Sequence, residues 1–203
     1  MKIKLMKHCL LAVAMMLIAS GCLTSPEPFY QESDIKVDDR LIGTYHAENE
    51  QTGWQIEKDL DQSNRYIVTL FSDLKPCFMR FSGVLFQVGT NRFFDMLPML
   101  ESCDHVAGST PGPIEIMQGI TLQSLHLVVR MDATTNGLRY GVIDQQGLLA
   151  TAKKFPEYFQ ARAEQLPRMV PDTKRQRDFL MRFGGDTNIF KPVEIKRGAK
   201  PSK

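Results

Sequence analysis

The chain has 203 residues, of which 43% are hydrophobic, and it carries 25 basic and 23 acidic side chains. This hydrophobic content excludes a chain that is disordered throughout, and the length suits one domain with a substantial core. The net charge of +2 lacks the basic surplus with which nucleic-acid-binding proteins neutralise phosphates, which argues against nucleic acid as a partner.

The first 22 residues have the pattern of a secretory signal. Three lysines precede an uncharged, mostly apolar run over residues 9–20, and small residues follow. This arrangement is typical of a cleaved signal, and the run is shorter than the roughly 20 apolar residues of a membrane-spanning helix. Without residues 1–21 the chain has 22 basic and 23 acidic side chains, so its net charge becomes −1.

The end of this segment resembles the lipobox of bacterial lipoproteins. The matching residues are Ala19-Ser20-Gly21-Cys22, with Ala19 where the family most often has Leu. The resemblance implies that residues 1–21 are a lipoprotein signal peptide and that Cys22 is lipidated and begins the mature chain. Leu23 follows Cys22 in place of Asp, which resembles lipoproteins sorted to the outer membrane. The resemblance therefore implies a cell-envelope protein that is lipid-anchored in the outer membrane and faces the periplasm.

Residues 22–38 are expected to be a lipid-anchored tether, because they contain two prolines, several polar residues and little periodicity. Strand patterns then dominate residues 39–146. The predicted strands span residues 41–46, 54–58, 65–71, 78–88, 92–97, 120–132 and 138–143. A turn at Gly89-Thr90-Asn91 joins the strands of one predicted hairpin, and a turn at Asn136-Gly137 joins the strands of a second. About seven antiparallel strands predict a mainly β domain, which is either a barrel or a sandwich.

Residues 147–203 are expected to form a helical extension with a basic tail. Two or three helices are predicted, over residues 147–154 and 156–166 and from a cap at Asp172 to the Gly184-Gly185 stop. Such helices cover an open edge or end of the strand domain. The tail from Lys196 to Lys203 carries four positive charges and no acid. We interpret this tail as a solvated chain end rather than a contact with anionic lipid or peptidoglycan.

Cys77 and Cys103 remain once the signal and the lipidation site are set aside, and the envelope oxidises thiols. Their midpoint is residue 90, inside the first predicted turn, so a hairpin around that turn brings them near each other. A disulfide between them is favoured, and it would add about 3–4 kcal/mol of stability. The alternative is two free thiols or a catalytic cysteine.

The strand run over residues 41–144 resembles the small lipocalin-like β-barrels of Gram-negative bacterial lipoproteins. The residues that carry the likeness are Gly43-Thr44-Tyr45, which resemble the Gly-x-Trp of the first lipocalin strand with Tyr45 in the place of Trp. The resemblance implies a basic side chain stacked on this ring, for which Arg130 and Arg139 are the candidates. That family has no assigned activity, so the resemblance transfers no site residues.

An apolar ligand is the best small-molecule candidate, because eight-stranded barrels can hold one small ligand. The residues that would line such a cavity are Phe78, Phe81, Phe86, Phe93 and Phe94, all in one predicted hairpin. With only about seven strands, a barrel filled by these side chains is favoured over a hollow one.

Catalytic patterns are weak. The densest reactive cluster is Ser102-Cys103-Asp104-His105, but neighbours in a loop seldom provide the positioning group and oxyanion donor that catalysis needs. No close histidine pair predicts a metal, and no phosphate loop or dinucleotide fingerprint predicts a cofactor. The sequence predicts a non-enzymatic binding or structural role, with an envelope protein or a small apolar ligand as partner. The alternative is a hydrolase-like periplasmic enzyme that uses the Cys103–His105 loop.

Overall fold

The computed structural model describes residues 23–47, 52–72, 75–99, 125–160 and 167–198, and side chains for all of these except 72–78 and 142. The strands are β1 (Leu23–Ser25), β2 (Gly43–His46), β3 (Thr52–Lys58), β4 (Tyr66–Ser72), β5 (Lys75–Val88), β6 (Asn91–Pro98), β7 (His126–Ala133), β8 (Gly137–Ile143) and β9 (Phe190–Gly198). The helices are α1 (Gln145–Lys154) and α2 (Thr173–Phe183), with 3-10 turns at Glu32–Asp34, Asp39–Leu41 and Pro156–Tyr158.

Strands β2 to β9 form a closed, eight-stranded antiparallel barrel. Each strand pairs with the next along the chain, and β9 pairs back onto β2. Each of these eight strands therefore has a hydrogen-bonded neighbour on both sides, as closure of a barrel requires. The predicted class, a mainly β domain of about seven antiparallel strands followed by helices, is confirmed, and of the two predicted alternatives, barrel and sandwich, the structure has the barrel.

Both predicted hairpin turns are present. Val88 pairs with Asn91 across Gly89, whose φ of 61° lies in the left-handed region that glycine adopts without strain. In the second hairpin Ala133 pairs with Leu138, and the Thr134 N–H donates to the Gly137 carbonyl. Local turn chemistry therefore fixed the register of these two strand pairs.

Residues 23–38 differ from the expected tether, because they pack on the barrel wall. β1 pairs with β7, with Leu23 opposite Val128, and Leu23 and Phe29 are both fully buried. Further along, Ile35 forms a β-bridge with Phe86. Leu23, Phe29 and Ile35 are six residues apart, a spacing with neither helical nor strand periodicity, so the pattern concealed a segment that contacts the barrel at separate points.

The C-terminal third differs in two respects from the predicted helical extension. Residues 156–158 form a 3-10 turn rather than the start of a helix, and Phe159 then bridges to Met169. After α2 the chain returns to the barrel as β9, so Lys196 and Arg197 belong to a paired strand instead of a solvated tail. The predicted helices over 147–154 and after the Asp172 cap are confirmed as α1 and α2.

The buried side chains of the described residues form two hydrophobic clusters, one on each side of the barrel wall. The interior cluster takes residues from all eight barrel strands, among them Tyr45, Ile56, Val68, Leu85, Phe94, Met131, Leu138 and Ile195. The outer cluster joins the wall to residues 23–38, α1 and α2, and includes Leu23, Phe29, Phe86, Phe93, Leu148, Phe179, Leu180 and Phe190. The helices therefore cover the outer wall as a second layer.

Candidate functional site

The predicted phenylalanine cluster is divided between the two sides of the wall. Phe81 and Phe94 belong to the interior cluster and are almost fully buried, so they fill the barrel. Phe86 and Phe93 belong to the outer cluster, where their ring centroids are 5.5 Å apart. Neighbouring strand residues face opposite sides, which explains the division. The side chain of Phe78 lies outside the described residues, and the other four phenylalanines do not share one cavity.

The side chains of the predicted site cysteines are not among those that the structure describes. Cys77 lies in β5, but its side chain is not among those described, and Cys22 and Cys103 lie outside the described residues altogether. The same holds for His105 and the rest of the reactive loop. The Cys77–Cys103 disulfide, lipidation of Cys22 and the enzymatic alternative stay predictions.

A basic side chain does stack on Tyr45, but it is neither Arg130 nor Arg139. The guanidinium carbon of Arg197 lies 5.3 Å from the Tyr45 ring centroid, and its Nη2 donates to the tyrosine oxygen at 3.0 Å and to the Arg40 carbonyl at 2.7 Å. Burial raises the pKa of Tyr45, and Arg197 opposes that rise. Arg197 went unrecognised because β9 was not anticipated. The alternation of Val193, Ile195 and Arg197 was the available signal.

Arg130 and Arg139 instead lie at an open groove of about 410 Å³ on the outer wall of β8 and β9. Arg139 forms an ion pair with Glu194 at 2.6 Å, and Arg130 lies 3.6 Å from Asp132. The four charged side chains of the groove therefore pair with one another, which leaves it without a free charge to select a ligand.

The most elaborate polar site on the wall is where residues 23–38 are attached. The buried Asp95 carboxylate accepts the Phe29 N–H at 2.9 Å through Oδ2, and its Oδ1 lies 2.7 Å from Nδ1 of His126. A buried carboxylate is stable only when its oxygens are hydrogen-bonded. Because one of these donors is the Phe29 backbone, the segment over Phe29 completes the environment of Asp95.

Two further aspartates fix the same segment. Asp34 accepts a hydrogen bond of 2.8 Å from Nη2 of Arg177 in α2. Asp38 accepts one of 2.6 Å from Nη1 of Arg92 in β6. The Arg40 side chain also donates to Asp38. The hydrogen bonds from Arg40, which have the largest effect, and the one from Arg92 lower the pKa of Asp38 to about 2. The segment is therefore bound to both the barrel and the helical layer.

The Asp95–His126 pair resembles the acid and base of a catalytic triad, but the neighbouring serine is not placed to act as the nucleophile. Ser25 lies directly across from His126 in the β1–β7 register, yet it is fully buried and its hydroxyl accepts a hydrogen bond from Gln176 at 2.7 Å. A nucleophile needs access to substrate and a free base. Within the described ranges, no three His, Cys, Asp or Glu side chains are placed to hold a metal ion. The arrangement is suited to attaching the segment, not to chemistry.

By its fold the chain is an eight-stranded antiparallel β-barrel protein with an extra strand and a helical layer on its wall. Comparisons with protein-family models, with curated proteins and with solved structures gave no match. In the part of the chain that the structure describes, neither helix has the length and apolar character to cross a membrane.

Proposed function

We propose that the protein is a lipid-anchored protein of the bacterial cell envelope with a non-enzymatic binding or structural role. In this proposal Cys22 carries the lipid, and the domain faces the periplasm from the outer membrane. The observation that carries it is the lipobox-like run Ala19-Ser20-Gly21-Cys22, which Leu23, a buried residue of the outer cluster, directly follows. In this proposal the lipid is attached one residue before β1.

Direct attachment has a mechanical consequence. A residue spans at most about 3.6 Å, so a lipid on Cys22 would hold the domain close to the headgroups, with no long linker between them. A tether over 22–38 would have let the domain reach away from the membrane. The proposed protein instead presents one fixed side to the bilayer and the other sides to the periplasm.

The buried packing of the interior cluster supports a structural or protein-binding role over ligand carriage. Phe81, Leu85 and Phe94 belong to the interior cluster, and each is at most 3% exposed. The six remaining barrel strands also contribute side chains to this cluster. A small apolar ligand would have to displace this packing, and filled protein interiors resist such insertion. The favoured partner is therefore another envelope protein.

Lipidation is tested by replacing Cys22 with Ala in the full chain produced in a Gram-negative host. We expect the variant to lose incorporation of labelled palmitate and to leave the membrane fraction in a high-salt wash, because the lipid is the proposed hydrophobic anchor and salt screens electrostatic contacts with headgroups. Cys9→Ala is the matched control, since it removes the other cysteine of the same segment and should keep both properties. Density separation of the two membranes then tests the outer-membrane assignment.

The proposal is wrong if Cys22→Ala still incorporates palmitate or still floats with membranes after a high-salt wash. Loss of labelling in Cys9→Ala as well would mean that the variants disturb export rather than lipidation. Enrichment of the parent protein in the inner membrane would overturn the outer-membrane assignment alone.

A further inference from the structure

The two helices of the helical layer carry a net positive charge. Helices α1 and α2 carry one acid, Asp178, and six basic residues, which are Lys153, Lys154, Lys174, Arg175, Arg177 and Arg182. Their net charge of +5 contrasts with the −1 of residues 22–203, so the rest of those residues carries −6. One layer of the molecule is thus basic while the remainder is acidic.

Four of these basic residues are not neutralised. Arg175 lies 3.6 Å from Asp172, and Arg177 pairs with Asp34. Lys153, Lys154, Lys174 and Arg182 are exposed and form no ion pair with any residue that the structure describes. These four cations therefore face solvent with their charge available to a partner.

Cations from the two helices converge on one aromatic ring. The guanidinium carbon of Arg182 lies 4.2 Å from the Phe155 ring centroid, and Nζ of Lys154 lies 5.5 Å from the same centroid. Leu149 on α1 and Met181 on α2 are 37% and 58% exposed. We call these outward residues the helical face; they are Leu149, Lys153, Lys154, Lys174, Asp178, Met181 and Arg182, so the face carries four basic residues and one acid. Exposed cations mixed with apolar side chains are typical of surfaces that rest on anionic bilayers.

The chain enters the fold beside this layer. Leu23 packs in the same cluster as Leu148 of α1 and Leu180 of α2, and the Thr24 carbonyl accepts the Met169 N–H at 3.1 Å. A lipid on Cys22, as proposed above, would therefore place α1 and α2 nearest to the bilayer.

We propose that the helical face docks on anionic phospholipid headgroups, and that this orients the domain at the membrane. The orientation rests on the proposed anchor at Cys22, whereas the affinity of the face for anionic lipid does not. Lipid recognition by exposed Lys and Arg is electrostatic, so it weakens as salt rises.

The test uses the unlipidated mature chain, residues 22–203 with Cys22→Ser, and sedimentation with vesicles. Vesicles of phosphatidylcholine are compared with vesicles containing about 30 mol% phosphatidylglycerol, at about 0.02 and 0.2 M salt. We expect binding only to the anionic vesicles, with weaker binding at the higher salt concentration.

The decisive variant combines Lys153→Gln, Lys154→Gln and Lys174→Gln, and its partition coefficient on anionic vesicles should fall by at least about tenfold. The matched control combines Lys58→Gln, Arg139→Gln and Lys196→Gln, which removes the same charge from exposed barrel positions and should leave binding within about twofold. All replaced side chains are exposed, and thermal unfolding of each variant checks that it is folded.

Three outcomes would overturn the inference: no binding of the parent to anionic vesicles, equal binding to both vesicle types, or an equal loss in both triple variants. The first would leave a protein as the occupant of this face. None of these outcomes depends on acylation, so they are distinguishable from a failure of the Cys22 labelling experiment.

Discussion

At the residue scale, three aspartates carry out one task, the attachment of residues 23–38. Asp34 pairs with α2 through Arg177, Asp95 accepts the Phe29 N–H, and Asp38 joins β6 through Arg92. Carboxylates suit this position because each oxygen accepts several donors and charge-assisted hydrogen bonds are among the stronger ones.

Asp38 makes the stability depend on pH in a predictable direction. Hydrogen bonds lower its pKa in the folded protein to about 2 from an ordinary value of 3.8. The stabilisation is fully present above about pH 4 and is lost as the pH falls towards 2, because the unfolded chain takes up the proton first. Arg40 is 68% exposed, so solvent screening reduces the contribution to about 1 kcal/mol.

Asp38→Asn should therefore lower the free energy of unfolding by about 1 kcal/mol at pH 7, with the difference from the parent shrinking between pH 4 and 2. Urea unfolding across that range measures it. Asp39→Asn is the control, because it makes the same chemical change at the next residue, where the carboxylate side chain is 69% exposed. An equal pH-dependent loss in both variants would contradict the assignment to Asp38.

At the element scale, α2 connects the outer cluster, the attached segment and the proposed membrane face. Its inward side contributes Phe179 and Leu180 to the outer cluster, while Gln176 donates to Ser25 of β1. Its outward side carries Lys174, Met181 and Arg182. One amphipathic helix thus presents a packed side and a basic side.

The start of α2 depends on Asp172. Its Oδ1 accepts the N–H groups of Lys174 and Arg175 at 3.0 and 3.2 Å, which otherwise have no partner within the helix. Asp172→Ala should destabilise the protein by about 1 kcal/mol. Asp178→Ala removes an exposed carboxylate from the middle of the same helix and should leave stability unchanged or slightly raised. Chemical unfolding compares the two, and a larger loss in Asp178→Ala would contradict the cap.

At the scale of the whole molecule, residues 23–38 are part of the fold and not an appendage. Phe29→Ala should lower the free energy of unfolding by about 3–5 kcal/mol, because it empties a fully buried aromatic site in the outer cluster. Val37→Ala, in the same segment but 52% exposed, should cost less than about 0.5 kcal/mol. Urea unfolding measures both effects. A near-zero effect of Phe29→Ala would mean that residues 23–38 are a tether and do not stabilise the fold.

Local features were predictable from the sequence. The hairpin turns at Gly89 and at Asn136-Gly137, the cap at Asp172 and the alternation of Leu127, Val129 and Met131 each depend on neighbouring residues, and all appear in the structure. The resulting strands were enough to predict a mainly β domain, either a barrel or a sandwich, with helices after it.

Tertiary contacts decided the rest. β9 has few apolar residues and becomes a strand because β8 and β2 both offer it hydrogen bonds, and its closure brings Arg197 rather than Arg130 to Tyr45. Phe86 and Phe93 are buried on the outside because the helical layer covers them. The sequence by itself determined turns, caps and strand alternation, since these act over a few residues. Only the folded chain decided the closure of the barrel, the attachment of residues 23–38 and the placement of the basic layer, because each depends on surfaces contributed from distant parts of the chain.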